Sequence, residues 1–282
     1  MHDTAILLIN CPDRKGLVAT VSGLLYEHGA NIIHAEQHQD HEAALFFMRV
    51  EWALEGFSLE DFRARFTPVA LELRMDWRLE LSRDVTRMVI FVSQYLHCYA
   101  DLLYRHRAGE LTCEIPLIIS NHPGARSLAE FHGIPFHQIE IGSEGKPAAE
   151  RRQLALLEKH DVELIVLARY MQILSPALCE KLAGRAINIH HSFLPSFKGA
   201  RPYFQAFDRG VKLIGATAHY VTTHLDEGPI VEQGVERVNH SMSLEQLTAI
   251  GRDVECVTLA RAVKWHVEHR VLLNGSKTVV FS

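Results

Sequence analysis

Asn188, His190 and Asp226 are the residues of this chain whose types could act together on one carbonyl group. Asn188 and His190 open the stretch Asn188-Ile189-His190-His191-Ser192-Phe193-Leu194-Pro195-Ser196-Phe197-Lys198-Gly199. Asp226 lies in Leu225-Asp226-Glu227-Gly228-Pro229-Ile230, at the end of a second polar cluster that starts near Gly215 and includes His219. In an extended segment, side chains two positions apart share a face, so Asn188 and His190 point the same way. An amide beside an imidazole can cradle an oxygen that becomes negative when a carbonyl is attacked, for about 3 kcal/mol per well-placed donor. Imidazoles exchange protons near neutral pH. An amide, an imidazole and a carboxylate are together the groups needed to polarise an acyl oxygen and move protons. Taken singly, His190 is a histidine satisfied inside a loop, and Asp226 is a turn former ahead of Gly228-Pro229.

The elements that must position these groups follow from periodicity. Over residues 1–82 the chain reads strand, helix, strand, strand, helix, strand. Ala5 to Asn10 is an apolar run; Leu17, Val21, Leu24 and Leu25 fall at helical spacing; Asn31 to His38 and Ala43 to Trp52 flank a polar turn. Leu59, Phe62, Phe66 and Ala70 mark a second helix, and Met75, Trp77, Leu79 and Leu81 alternate as a last strand. That order is a ferredoxin-like α+β fold. Residues 83–282 then alternate buried strands with helices, the pattern of an α/β domain with a mostly parallel, Rossmann-like sheet. Met88 to Val92, Pro116 to Ile119, Leu164 to Leu167 and Ala186 to Ile189 are the strand candidates, with helices at Leu96 to Arg107, Ala125 to His132 and Pro147 to His160. Asn188 and His190 fall at the carboxyl end of the Ala186 run, where such sheets place ligands.

Composition narrows the function. A length of 282 residues suits two domains, and 48% hydrophobic with 22% charged residues is ordinary for a globular protein. A net charge of −5 argues against nucleic-acid binding. The 5 cysteines lack a CxxC pair and the 18 histidines form no HExxH pattern, so no metal is expected. His190 and His191 diverge too much, as neighbours, to share a metal easily. The start of the chain has no secretory pattern and no run approaches the ~18 apolar residues of a membrane span. A cytoplasmic protein is expected.

The two polar clusters together resemble the folate-dependent formyltransferase family, which handles the formyl group of 10-formyltetrahydrofolate. The resemblance implies catalytic roles for Asn188, His190 and Asp226, the aspartate orienting the attacking group and relaying protons. It also implies a pterin pocket along Arg169-Tyr170-Met171-Gln172-Ile173-Leu174, with Ser192 and Gly199 in the adjoining substrate loop. Met171, Ile173 and Leu174 suit apolar walls and equally suit core. The family's phosphorylated acceptors are held by a glycine-rich loop after the first strand of this domain, and here that position reads Val92-Ser93-Gln94-Tyr95-Leu96-His97-Cys98, without glycine. Tyr95 and Leu96 would fill acceptor space. Residues 1–82, with Asn10-Cys11-Pro12-Asp13-Arg14-Lys15-Gly16 and Gly29-Ala30-Asn31, resemble the ACT family of regulatory domains. That resemblance implies an amino-acid effector near Asp13, Gly16 and Asn31; the same residues also serve simply to start a helix. Together the two segments look like the deformylase branch, in which water accepts the formyl group and no cofactor is needed beyond the folate substrate. A homo-oligomer, dimer or tetramer, is expected. The rival readings are a glycinamide ribonucleotide formyltransferase and a non-catalytic folate or amino-acid sensor.

Overall fold

The computed structural model describes residues 3–142, 145–196 and 201–282. Two compact units emerge: Met1–Val85 with His269–Asn274 and Val279–Ser282, and Thr86–Glu268 with Gly275–Thr278. No helix among the described residues is long and apolar enough to cross a membrane.

In the first unit β1 (Thr4–Pro12), α1 (Leu17–Glu27), β2 (Asn31–Asp40), β3 (Leu45–Ala53), α2 (Leu59–Glu72) and β4 (Asp76–Leu81) follow the expected order. The sheet runs β2-β3-β1-β4, with every neighbouring pair antiparallel. Strand β1 is buried on both faces. Ala5, Leu7 and Ile9 pack with Val21, Leu25, Phe62 and Phe66 of the helices. The alternate residues Ile6 and Leu8 face Phe47, Leu272, Val279 and Phe281. Those last three come from the chain's end, where β13 (Val271–Asn274) and β14 (Lys277–Val280) pair with each other. The sequence reading assigned all of 83–282 to one domain. The structure returns His269–Asn274 and Val279–Ser282 to the first unit, because an apolar face of β1 and β3 needs a cover and each fully buried aliphatic side chain contributes about 1.5–3 kcal/mol.

The second unit contains β5 (Thr86–Val92), α3 (His97–Arg107), β6 (Cys113–Glu114), β7 (Ile118–Ser120), α4 (Arg126–Phe131), β8 (Phe136–Gln138), α5 (Gly145–Lys159) and β9 (Leu164–Ala168). It continues with α6 (Pro176–Lys181), β10 (Ala186–His190), α7 (Pro202–Asp208), β11 (Leu213–Tyr220), β12 (Ile230–Arg237) and α8 (Leu244–Val267). The main path of the sheet is β12-β11-β10-β9-β5-β7-β8. Strands β5, β7, β8, β9 and β10 are parallel, and β11 and β12 extend the sheet antiparallel. The chain moves from β5 outward through β7 and β8, then resumes on the other side of β5 at β9. This reversal opens a crevice beyond the carboxyl ends of β5 and β9. Ser93, just past β5, donates to Asn121 Oδ1 at 2.6 Å and accepts from the Met171 amide at 3.0 Å. One hydroxyl thus ties the ends of β5, β7 and β9 together around the crevice.

Candidate active site

At the end of β10, alternation sends Ile189 into the core and leaves Asn188 and His190 on the other face. Pairing with β11 sets His219 directly opposite Asn188 and Thr217 opposite His190. His219 Nδ1 lies 3.0 Å from the Tyr220 carbonyl, so that nitrogen carries the proton and Nε2 is the acceptor. The Asn188 amide nitrogen donates to that Nε2 at 3.3 Å. Burial lowers the His219 pKa despite the carbonyl contact, which keeps the ring neutral.

Asp226 completes the group from the turn before β12. Its φ is 57°, a left-handed backbone that an L-residue enters at a cost. Two residues on, a Cβ on Gly228 would overlap the Tyr220 carbonyl, and the Pro229 carbonyl accepts from the Tyr220 amide at 2.9 Å. The turn therefore lies flat on β11 only because position 228 is glycine. This brings Asp226 Oδ1 to 3.3 Å from His190 Nδ1 and 3.8 Å from His219 Nε2. Burial pushes the Asp226 carboxyl up, but the hydrogen bond from His190 and the nearby imidazoles outweigh it, and the net shift is downward. Asp226 is a carboxylate at neutral pH. His190 Nε2 is buried and has no hydrogen-bond partner among the described residues.

Asn188, His190, His219 and Asp226 line one cavity of about 890 Å³. Its apolar wall includes Met171 and Ile173, which are 51% and 62% exposed. Tyr170 and Leu174 are different. Both edge the cavity yet belong to the core, Tyr170 accepting from Gln153 Nε2 at 2.9 Å and meeting Phe91 edge-on. Ser192 does not line the cavity. Its hydroxyl donates to the Ser196 carbonyl at 2.8 Å, and its own carbonyl accepts from Thr217, so it shapes the loop after β10 from within. The side chain turns back on its own backbone. Gly199 lies outside the described residues.

A second polar group forms another part of the wall; it contains Arg169, expected in the pterin pocket, together with Glu255 and Tyr203, to which the sequence assigned no role. Glu255 on α8 is fully buried. It accepts from Tyr203 and from His97 Nε2 at 2.7 Å, and pairs with Arg169 at 3.4 Å. Burial raises the Glu255 carboxyl, but His97, Arg169 and Tyr203 together bring it below its ordinary value. His191 points into this side, 6.1 Å from Tyr203 ring to ring. Burial first, and then the Arg169 charge, depress its pKa to about 3, so it remains neutral. Among the described residues, His97, Cys98 and Glu255 are the one group of three whose ligand-type atoms all lie within 4.8 Å of one another. The Glu255 oxygens already serve Arg169, His97 and Tyr203, so the donor set fits a salt-bridged network better than a cation.

His219 and Glu255 each left a trace in the sequence. His219 sits in a strand of small buried residues, where a histidine needs a polar reason. Glu255 follows Gly251 by one helical turn, the one charged residue on the buried face of α8. In the first unit, Asp13 and Gly16 line a groove of about 550 Å³ with Gln37 and Gln39, whose amide donates to Asp13. Gly16 begins α1 with φ 92°. Asn31 begins β2 and does not line that groove.

Comparison with known proteins agrees with this arrangement. The formyl transferase family model matches residues 86–263, and the ACT domain model matches residues 5–51. A formyltetrahydrofolate deformylase of Bacillus subtilis (strain 168) is 50% identical, over 100% of this chain and 95% of that one. The chain belongs to the formyltetrahydrofolate deformylase family. A crystal structure of a family member from Pseudomonas syringae pv. tomato superposes with a TM-score of 0.97 at 48% identity, covering 100% of this chain and 95% of that one. The glycinamide ribonucleotide transformylase 1 of Symbiobacterium toebii has a TM-score of 0.67 at 25% identity, over 73% of this chain and 98% of its own. A shared fold thus houses proteins named for transfer and for hydrolysis, and the difference between them must lie in the lining of the site.

Proposed function

We propose that this chain hydrolyses 10-formyltetrahydrofolate to tetrahydrofolate and formate, with Asn188, His190 and Asp226 as the catalytic residues. The observation that carries the reading is the 3.3 Å contact between His190 and Asp226 on the wall of the large cavity, with His190 Nε2 left unpartnered. Water attacks the formyl carbon, and Asp226 orients it and receives its proton. The oxyanion forms beside His190 Nε2 and the Asn188 amide. One amide hydrogen of Asn188 is held by His219, and the second is free to donate. A proton then reaches N10 through His190 or Asp226, the C–N bond breaks and formate departs. Met171 and Ile173 wall the pterin; no cofactor is needed besides the substrate. Incubating the purified protein with 10-formyltetrahydrofolate, without any acceptor, tests this: formate is released at a rate proportional to enzyme. If tetrahydrofolate forms only after an amine is supplied, with formylated amine in place of formate, or not at all, the reading fails.

The first unit regulates and assembles in this proposal. The groove at Asp13 and Gly16 suits a small amino acid, with bare helix N–H groups for its carboxylate. The edge strand β2 is open on both faces, with Ile32 and Ile33 exposed, which supports pairing with a second copy into a homo-oligomer. The setting is the cytoplasm, where the reaction restores free tetrahydrofolate and supplies formate for one-carbon and purine metabolism.

A further inference from the structure

Arg169 stands at the carboxyl end of β9, beside the crevice where the chemistry occurs. Its backbone has φ 60°, a conformation that suits glycine far better than an L-residue. Its long cationic side chain is nevertheless 7% exposed. Two expenses at one residue, a left-handed backbone and a buried charge, point to a function that outweighs them. The Arg169 Nε and Nη1 make no hydrogen bond among the described residues, and the guanidinium is held instead by an ion pair and a ring. Glu255 pairs with it at 3.4 Å, and the ring of Tyr95 covers it at 5.0 Å. Glu255 is itself held by Tyr203, and Tyr203 fits against α8 only because Gly251 has no Cβ; any larger residue would overlap the ring.

Arg169, Tyr95, His97, Tyr203 and Glu255 all line the same cavity as His190 and Asp226. They fill the part of the cavity beside Glu255, away from the part of the wall that Asp226 and His190 form. Both oxygens of Glu255, the buried carboxylate best suited to receive an N–H group there, are already engaged by Arg169, His97 and Tyr203. We propose that Arg169, clamped between Glu255 and Tyr95, is the specificity-determining residue that closes the cavity to amine acceptors and leaves water as the nucleophile. This rests on the hydrolytic reading above.

Removing the guanidinium opens its volume and leaves His97 as the remaining partner of Glu255 Oε2, whose second lone pair then receives an N–H of an incoming amine. In the transfer reaction the amine nitrogen bonds to the formyl carbon and the C–N10 bond breaks. The amine proton passes to N10, giving an N-formyl amine and tetrahydrofolate in place of formate.

The experiment compares wild type, R169G, R169K and Y95A with 10-formyltetrahydrofolate and a fixed excess of glycinamide, measuring formate and N-formylglycinamide in the same reaction. Wild type yields formate alone, which separates failure of the hydrolytic reading from failure of this one. In R169G the ratio of formylated amine to formate rises ~10-fold or more over the wild-type limit, while R169K, retaining a cation on Glu255, stays hydrolytic. A merely structural role would slow both products equally and leave their ratio unmoved. Folded R169G that still yields only formate overturns the proposal, as does R169K that transfers as readily as R169G. Should R169G not fold, Y95A decides, because it strips a half-exposed ring from the guanidinium: a ratio unchanged from wild type there overturns the proposal equally.

Discussion

Replacing Asp226 by asparagine keeps the volume and planarity of the side chain and removes its charge. In the structure that charge lies 3.3 Å from His190 Nδ1. When the imidazole takes up a proton during turnover, a unit negative charge at this distance is worth about 5 kcal/mol at an effective dielectric of ~20. An asparagine oxygen retains the hydrogen bond and a small part of that attraction. Loss of the attraction together with loss of the proton acceptor for water corresponds to a fall in kcat of ~10³-fold, within the 10²–10⁴ range of general acid–base groups. Asp226 contacts imidazoles and not the Met171 wall, so KM should change by no more than ~3-fold. Stopped assays of formate release under saturating and limiting substrate give both numbers. The sign of the pH effect on stability also follows. The folded carboxyl titrates below its unfolded value of about 3.9, so its contribution is complete above that pH and is lost as the solution is acidified through the folded value. D226N should therefore melt slightly lower than wild type near pH 7, and the gap should close in stronger acid. A D226N enzyme whose kcat stays within tenfold of wild type would refute the reasoning, and so would one whose loss lies wholly in KM.

Three further outcomes are expected. Asn188→Ala and His190→Ala should each lower kcat ~10²-fold or more, and because both serve one oxyanion the double variant should lose less than the product of the two; strictly multiplicative losses would assign them separate tasks. His219→Leu removes the neutral ring between Asn188 and Asp226, and the expected result is a ~10-fold or larger drop in kcat at nearly constant KM, with a crystal structure in which the Asn188 amide has turned; unchanged turnover would confine His219 to packing. Gly228→Ala meets the Tyr220 carbonyl and must lift the Asp226 turn off β11, so activity should collapse while thermal stability falls by only ~1–3 kcal/mol; full activity would mean that the turn's placement does not matter.

Local chemistry made a large part of this protein readable from its sequence. Alternation at Asn188 and His190 placed both on one face because strand periodicity is a property of the backbone and needs no partner. The split βαβ order of the first unit and the run of buried strands in the second were legible for the same reason: apolar spacing states which face of an element is covered. The resemblance of Asn188, His190 and Asp226 to the formyltransferase pattern also required only order along the chain. Sequence alone did not decide what covers a face or closes a circuit. His219 meets Asn188 through the β10–β11 register, and Asp226 reaches His190 through a turn that Gly228 allows to lie on Tyr220. Arg169 and Glu255 are far apart along the chain and meet only in the assembled crevice. The bond from the Ser192 hydroxyl to the Ser196 carbonyl likewise exists only in the folded loop. The return of Leu272, Val279 and Phe281 to the first unit was hidden for a like reason. An apolar residue announces that it will be buried, but the surface it will be buried against exists only once the chain has folded.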